Sequence, residues 1–247
     1  MSKVAEGEAY TVDTLLRGRV TLLQPARGFR TSLDPVLLSA FVAPPFGHFL
    51  DIGGGTGALS FLLLARDAAS TGVAIELQAP LAALAEEGRA RNGFGGRLEV
   101  RVGDVRALGR ALGAARFDLV ITNPPFRPVA DGHASPDETR ALSNHEVALT
   151  LADWADVASR AVRPGGRVAA VFPASRALEL GAALRARDLS PARLRFVHPH
   201  AERPASRVLI EAERGGRAPL VVEPPLVVHA EGLERFSPEV RRMLEED

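Results

Sequence analysis

The residues with the clearest chemistry form the string Asn123-Pro124-Pro125-Phe126, which follows the apolar run FDLVIT at residues 117–122. The Asn123 side-chain oxygen and the Pro124 carbonyl can accept the two hydrogens of an amino group, which favours a pyramidal, nucleophilic nitrogen. Pro125 restricts the backbone and so orients that carbonyl in advance. The Phe126 ring offers a face for stacking a planar group. Outside a favourable context the string is only a rigid turn; here it indicates a pocket for a planar, amino-bearing substrate.

A loop with three glycines at alternate positions follows the predicted strand HFLDI at residues 48–52, in which Asp51 precedes the final isoleucine. Glycines let the backbone turn sharply and let a ligand approach the chain closely. With Ala58, the loop also satisfies the dinucleotide fingerprint G-x-G-x-x-G/A. By itself it therefore fits NAD and S-adenosylmethionine equally well. The three glycines are Gly53, Gly55 and Gly57.

Two acidic residues stand at the ends of the next two predicted strands. The carboxylate of Glu76 can accept hydrogen bonds from both hydroxyl groups of a ribose. Asp104, followed by Val105, can accept a hydrogen bond from an adenine amino group, or it can cap the helix predicted to follow. A glycine loop, a ribose acid and an adenine acid together describe a cofactor that contains adenosine.

Short apolar runs alternate with helical patterns from residue 48 onward, which is typical of an α/β fold with a doubly wound sheet. Ligands of such sheets bind beyond the carboxyl ends of the strands. The fourth strand lies beside the first in this topology, so Asn123 is expected to face the same cofactor as the glycine loop. The last two strands have no useful helix between them, which predicts an antiparallel hairpin at one edge of a seven-stranded, Rossmann-like sheet. The predicted strands are 48–52, 73–77, 98–102, 117–122, 167–172, 192–198 and 206–214.

Residues 1–47 precede this alternating pattern and are expected to form an extension that packs on a domain spanning 48–247. Their first part predicts a small hairpin that turns near Pro25 to Gly28. The second part predicts a helix that begins near Ser32 or Asp34, because a proline is tolerated in the first helical turn.

The composition excludes several classes of protein. The chain has 247 residues and no cysteine, so it has no disulfide framework, thiolate zinc site or cysteine nucleophile. We see no spaced cluster of metal-ligating side chains and expect no metal. No apolar stretch approaches the length of a membrane span, and the N-terminus lacks a signal pattern, so a cytoplasmic protein is expected.

The charges balance, with 30 basic and 30 acidic residues, but arginine provides all the strong bases except Lys3. A GC-rich coding bias explains most of this preference. A local excess remains, and it is compatible either with RNA phosphates or with an ordinary solvated surface. Its eight members are Arg185, Arg187, Arg193, Arg195, Arg203, Arg207, Arg214 and Arg217.

Taken together, the motifs resemble those of class I S-adenosylmethionine-dependent methyltransferases that act on amino groups. In that branch, N-P-P-[YF] marks methylation of the exocyclic nitrogen of a base or of a glutamine amide. Three flanking segments narrow the resemblance to the bacterial tRNA1(Val) adenine-N6 methyltransferase family, over almost the whole chain. They are TLLRGRVTLLQPARGFRTSLDPVLLSAFV (14–42), NPPFRP…SNHE (123–146) and HPHAERPASRVLIEAERG (198–215).

This resemblance implies methyl transfer to N6 of the adenine immediately 3′ of an anticodon, with S-adenosylmethionine as cofactor and tRNA as partner. It implies that Arg30 and Asp34 close over the methionine end of the cofactor and that residues 123–126 hold the target base. The implied cofactor-binding residues are Arg30, Asp34, Asp51, Gly53, Gly55, Gly57, Glu76, Asp104, Val105 and Asn123.

Four other functions remain open. The last residue of the motif is usually tyrosine in this family, whereas here it is Phe126. Phenylalanine at this position also occurs in ribosomal-RNA adenine and guanine methyltransferases. Release-factor glutamine methyltransferases share the motif but usually carry a helical N-terminal domain. A non-catalytic, cofactor-binding module and an NAD oxidoreductase both leave the amine-binding string unexplained.

His145 and Glu146 either begin a helix or touch substrate, and Trp154 is expected in the core.

Overall fold

Strands and helices alternate along the chain, and the computed structural model describes residues 10–28, 30–107, 116–123, 149–230 and 235–245. In these ranges no helix has both the length and the apolar character needed to cross a membrane. The helices are α1 Asp34–Phe41, α2 Ala58–Arg66, α3 Ala79–Arg91, α4 Leu151–Ala161, α5 Ala177–Arg185 and α6 Pro238–Glu245. The strands are β1 Tyr10–Leu15, β2 Val20–Pro25, β3 His48–Ile52, β4 Thr71–Glu76, β5 Leu98–Val102, β6 Phe117–Thr122, β7 Val162–Pro173, β8 Leu189–His198, β9 Arg207–Arg214, β10 Val221–Val222 and β11 Leu226–Val227.

Nine strands of the described ranges form one sheet in the order β10-β8-β9-β7-β6-β3-β4-β5, with β11 also paired to β8. Neighbouring strands from β7 to β5 are parallel, and β9 runs antiparallel to both β7 and β8. The predicted doubly wound, Rossmann-like fold class is confirmed. The seven predicted strands correspond to β3 through β9. The structure adds β10 and β11, which have two residues each and are too short to show an alternating pattern in the sequence.

The sheet separates two apolar clusters, because successive side chains of a strand point to opposite faces. In β3, Phe49 packs with side chains of the β1–β2 hairpin, α1 and α2. Leu50 and Ile52 of the same strand pack on the other face with side chains of α4 and α5. Trp154 of α4 is fully buried in this second cluster, which confirms its predicted place in the core.

The N-terminal hairpin exists, but its predicted turn was wrong. β1 pairs with β2 from Tyr10 opposite Pro25 to Leu15 opposite Val20, so the chain reverses at Leu16–Gly18 rather than at Pro25 to Gly28. Leu16 and Arg17 take left-handed φ values of 47° and 52°, a conformation that the sequence does not signal for these residue types. Leu16 is buried in the core, so packing stabilises the tight turn.

Helix α1 begins close to the predicted position. The backbone amide of Asp34 donates to the Ser32 hydroxyl oxygen at 3.2 Å, and Pro35 occupies the first helical turn. Four α1 side chains and the residue after the helix join the apolar cluster that contains the hairpin, so residues on both sides of position 47 share one core. They are Val36, Leu37, Leu38, Phe41 and, just after the helix, Val42.

The carboxyl ends of the parallel strands lie at one edge of the sheet, which we call the C-terminal edge. It carries the residues that follow β3, β4, β5 and β6. Since β9 is antiparallel to both of its neighbours, β8 runs in the same direction as β7 and also ends at the C-terminal edge. This edge is where ligands of open α/β sheets bind.

Asp51 is the one carboxylate of β3, and it lies wholly inside the protein at 1% exposure. The Ser60 hydroxyl of α2 donates to its Oδ2 at 2.7 Å and joins strand to helix. Burial raises the pKa of Asp51 from its usual 3.8 to about 7; the Ser60 hydrogen bond opposes the shift, and the nearby charge of Glu76 adds to it. The Asp51 carboxyl group therefore changes between its protonated and ionised forms near neutral pH.

We predict that replacing Asp51 with asparagine changes the pH dependence of stability. Because the pKa of Asp51 is raised on folding, the folded chain binds more protons than the unfolded chain between pH 4 and pH 7. The parent should lose about 2–3 kcal/mol of unfolding free energy from this group as the pH rises from 5 to 7, while Asp51→Asn should not. Urea unfolding of both proteins across this range measures the difference, and a pH-independent difference would contradict the raised pKa.

We also predict that Gly72→Ala destabilises the sheet. Gly72 of β4 lies opposite Phe49 of β3, and an added Cβ would come within 2.3 Å of the buried Phe49 ring. Overpacking of this kind costs about 1–3 kcal/mol. Gly181→Ala is the matched control, because an added Cβ on α5 meets no atom within 4 Å. The control should be neutral or slightly stabilising in thermal unfolding; equal midpoints for both variants would sink the prediction.

Candidate active site

The glycine loop crosses the C-terminal edge between β3 and α2. Gly53, Gly55 and Gly57 all have positive φ values, of 76°, 55° and 91°, which other residues adopt only under strain. A Cβ at Gly53 would meet nothing within 4 Å, so open space lies beside its backbone. A Cβ at Gly57 would come within 2.5 Å of the Phe61 ring, so this glycine serves the packing of α2. Gly53 and Gly57 are thus needed for different reasons, one for open space beside the backbone and the other for close packing.

The end of β4 holds this loop in place. The amides of Gly53 and Gly54 donate to the Ile75 carbonyl at 2.9 and 3.0 Å. The amide of Gly55 donates to Glu76 Oε2 at 2.9 Å, and the amide of Gln78 donates to Oε1 at 2.8 Å. A carboxylate oxygen has two lone pairs, so each oxygen of Glu76 can accept one further hydrogen bond. The structural role of Glu76 as an anchor of the loop was not visible in the sequence.

Asp104 follows β5 and is bound to the residue two positions later. The Arg106 amide donates to Asp104 Oδ1 at 2.9 Å, and the guanidinium contacts both carboxylate oxygens. The hydrogen bond from Arg106 holds the pKa of Asp104 below its usual value. Val105 is buried with the residues of the second apolar cluster. Asp104 thus accepts a backbone hydrogen bond, as a helix N-cap residue does. It is half-buried and lies at the C-terminal edge, as predicted.

Two apolar side chains at the same edge were missed by the sequence reasoning. Leu77, directly after β4, is 45% exposed, and Val102, the last residue of β5, is 54% exposed. They neighbour Glu76 and Asp104 in sequence. Exposed branched side chains beside two carboxylates are suited to contact the faces of a flat ring whose edge is polar. An apolar residue within two positions of each strand-end acid was the available signal.

Asn123 extends from the end of β6 and is half-buried. The preceding Thr122 is fully buried, and its hydroxyl donates to the Ile52 carbonyl at 2.7 Å. This bond joins the end of β6 to the end of β3, immediately before Gly53. The structure therefore brings Asn123 beside the glycine loop, as expected from the topology. Pro124, Pro125, Phe126, His145 and Glu146 lie outside the described residues.

The other two predicted cofactor residues have partners within the protein. Arg30 donates to Asp13 Oδ2 at 2.7 Å and to the Thr11 hydroxyl at 3.0 Å, which attaches it to β1. Asp34 accepts from Arg207 Nε at 3.2 Å, which ties the start of α1 to the start of β9. Among the described residues, no hydrogen bond or ion pair joins either side chain to the glycine loop.

The local excess of arginine separates into two groups. Five of the eight have side-chain partners that stabilise the fold, and the other three have none in the part of the chain that the structure describes. The partnered ones are Arg187 with Asp156, Arg193 with Glu211 and Glu223, Arg195 with Glu239, Arg207 with Asp34, and Arg214 with the Val162 carbonyl. The remaining ones are Arg185, Arg203 and Arg217. Most of the excess is therefore structural.

Comparisons with known proteins agree with this fold. A family model described as "Methyltransferase small domain" matches residues 32–146. Among solved structures, a predicted O-methyltransferase from Agrobacterium tumefaciens matches with a TM-score of 0.69 and 26% identity, covering 85% of this chain and 94% of that one.

Curated relatives of two kinds are similar in sequence. A release factor glutamine methyltransferase from Cereibacter sphaeroides is 35% identical over 62% of this chain, which spans 55% of that relative. A tRNA1(Val) (adenine(37)-N6)-methyltransferase from Porphyromonas gingivalis is 32% identical, and the match covers 78% of both chains. Since the second match covers most of both proteins, the chain belongs to the tRNA1(Val) adenine-N6 methyltransferase family.

Proposed function

We propose that this methyltransferase transfers the methyl group of S-adenosylmethionine to N6 of the adenine next to the anticodon of a tRNA like tRNA1(Val). The observation that carries the proposal is the position of Asn123 beside the glycine loop, set by the Thr122–Ile52 hydrogen bond. An amine-binding side chain and a cofactor loop then share one edge of the sheet. The relative from Porphyromonas gingivalis, matched over most of both chains, supports the nucleotide.

The residues at the C-terminal edge fit S-adenosylmethionine. Glu76 retains lone pairs for the ribose hydroxyls, and the open space beside Gly53 admits the methionine portion. Leu77 and Val102 would contact the faces of the adenine ring, with Asp104 near its amino group. When bound, the cofactor supplies a methyl group that its sulfonium makes electrophilic.

Arg30, Asp34, Asp51 and Val105 are proposed to act less directly. Asp51 and Val105 are buried and shape the loop and the adenine pocket from beneath. Arg30 and Asp34 are tied to β1 and β9, so contact with the methionine end requires them to exchange these partners or to act through them.

The catalytic role of the chain is to orient the amino group. The Asn123 side-chain oxygen and the Pro124 carbonyl each accept one N–H, which directs the nitrogen lone pair toward the methyl group. Pro125 limits the motion of that carbonyl, and Phe126 stacks on the base. A strong base is unnecessary, because the amine loses its proton after it has gained the methyl group.

The alternatives are less well supported. The relative that modifies release factors is matched over 55% of its length. In this chain an antiparallel hairpin, β1 with β2, stands where such enzymes usually have a helical domain. Ribosomal RNA stays a second candidate substrate because of Phe126. We further propose that residues 1–47 form an extension of the 48–247 domain and that the enzyme works in the cytoplasm, where tRNA is modified.

We predict that Asn123→Ala lowers kcat about a hundredfold or more while S-adenosylmethionine still binds, because the amine loses an orienting acceptor. The measurement uses cofactor with a labelled methyl group, offered with tRNA, ribosomal RNA and protein in parallel. Label in N6-methyladenosine of tRNA, lost in the variant, is the expected result. Label in ribosomal RNA or in glutamine would replace the proposed substrate, and an unimpaired variant would remove the role of Asn123.

We predict that Glu76→Gln weakens S-adenosylmethionine binding at least tenfold. A glutamine amide has one oxygen, so its NH2 group must face either the Gly55 or the Gln78 amide, and a charge-assisted hydrogen bond of about 1.5–3 kcal/mol is lost. Glu86→Gln is the matched control, because Glu86 is an exposed carboxylate paired with Arg89 on α3. Calorimetric titration should give parent-like affinity for the control; similar affinity for Glu76→Gln would contradict the anchoring role.

A further inference from the structure

Three aromatic rings form a continuous stack near the ends of β8 and β11. The rings of His200 and His229 have centroids 5.2 Å apart with planes inclined by 30°. The rings of His229 and Phe236 have centroids 5.5 Å apart with planes inclined by 17°. We call these three residues the ring ladder. None of the cofactor or amine-binding roles described above uses it.

The backbone holds the ring ladder firmly. The amide of His229 donates to the Pro199 carbonyl at 3.0 Å, so the segments that carry two of the rings are bonded to each other. The amide of Ser237 donates to the Val228 carbonyl at 2.8 Å and fixes the segment that carries the third ring. Nδ1 of His229 is buried with no hydrogen-bond partner among the described residues, so contacts with the neighbouring rings orient it.

The ring ladder lies at the same edge of the sheet as the proposed active site. β8 ends at His198, β11 ends at Val227, and the two strands are parallel, so both lead to the C-terminal edge. From β6, which carries Asn123, to β8 the sheet crosses β7 and β9, a distance of about 14 Å at the usual strand spacing. The cofactor-binding strands β4 and β5 lie on the other side of β6 and β3. The ring ladder is thus on the side of Asn123 that faces away from the cofactor.

Exposure and charge indicate the kind of partner. Phe236 is 37% exposed, so part of its ring is available to a partner. Arg203 and Arg235 are exposed beside His200 and Phe236 in the chain, and neither has a side-chain partner among the described residues. Glu202 is also exposed there, so the charge is locally mixed. Stacked rings with unpaired guanidinium groups are suited to hold an unstacked nucleobase and its phosphates.

We propose that the ring ladder binds one unpaired nucleobase of the substrate RNA by stacking it on Phe236, outside the pocket for the target adenine. This inference rests on the proposed function. A loop base is available at low cost because anticodon-loop nucleotides are already partly unstacked. The ladder then fixes the position of the loop while the string at residues 123–126 holds the adenine to be methylated.

The test compares three variants at one position in the full chain. Phe236→Leu keeps apolar bulk but loses the aromatic face, Phe236→Ala loses both, and Phe236→Trp keeps the face. Val221→Ala is the matched control, because Val221 is 56% exposed and pairs with the middle of β8 rather than its end. The affinity of each protein for an anticodon stem-loop RNA is measured by fluorescence anisotropy, beside its affinity for S-adenosylmethionine and its methylation of the stem-loop.

The leucine and alanine variants should bind the RNA about tenfold more weakly, with unchanged cofactor affinity, and the tryptophan variant and the control should match the parent. A second arm uses RNAs with one base removed at each loop position in turn. For the parent, removing the base at one loop position other than the target should weaken RNA binding by a similar factor. For Phe236→Ala, removing that same base should weaken RNA binding no further.

The outcomes separate this inference from the proposed function. Parent-like RNA affinity in the leucine and alanine variants, with methylation intact, overturns the ring ladder as a base-binding surface and leaves the proposed function standing. Weaker RNA binding in those variants, with no methylation by the parent, supports the ring ladder and overturns the proposed reaction. A parent that binds no RNA overturns both.

Discussion

The loop that carries the proposed cofactor site depends on hydrogen bonds to one buried strand end. Glu76 accepts the amide protons of Gly55 and Gln78, and Ile75 accepts those of Gly53 and Gly54. These hydrogen bonds attach the loop, whose glycines have positive φ values, to the end of β4. Regular strand pairing could not attach a backbone in that conformation. Because the loop is attached there, its open face and the acids at the ends of β4 and β5 lie along one edge.

A second carboxylate beneath the loop makes this arrangement sensitive to protons. Burial raises the pKa of Asp51, and the nearby charge of Glu76 adds to the increase. Ser60 supplies its hydrogen bond and links β3 to α2. Two acids near one loop would repel if both were ionised in a dry interior. Glu76 accepts two backbone hydrogen bonds, whereas Asp51 takes up a proton near neutral pH.

The other half of the C-terminal edge has a different character. Thr122 bonds β6 to β3 and so places Asn123 next to the cofactor loop. Most of the clustered arginines make internal ion pairs or hydrogen bonds, and Arg207 holds the start of α1 through Asp34. Fewer arginines are therefore available to bind RNA phosphates than the composition indicated. The ring ladder and its neighbouring guanidinium groups add stacking to that set.

The sequence by itself determined the alternating strands, the glycine loop, the acids at the ends of β4 and β5, and the position of Asn123 at the end of β6. These features are local: apolar runs, glycines and strand-end polar residues reveal themselves within a few positions. The tertiary structure alone decided the features that join distant segments. The hairpin turn at Leu16 depends on core packing, Glu76 becomes an anchor through Gly55, and the rings of His200 and Phe236 come together with His229 only after β8 and β11 pair. No spacing in the chain encodes such contacts, because long-range packing selects the partners.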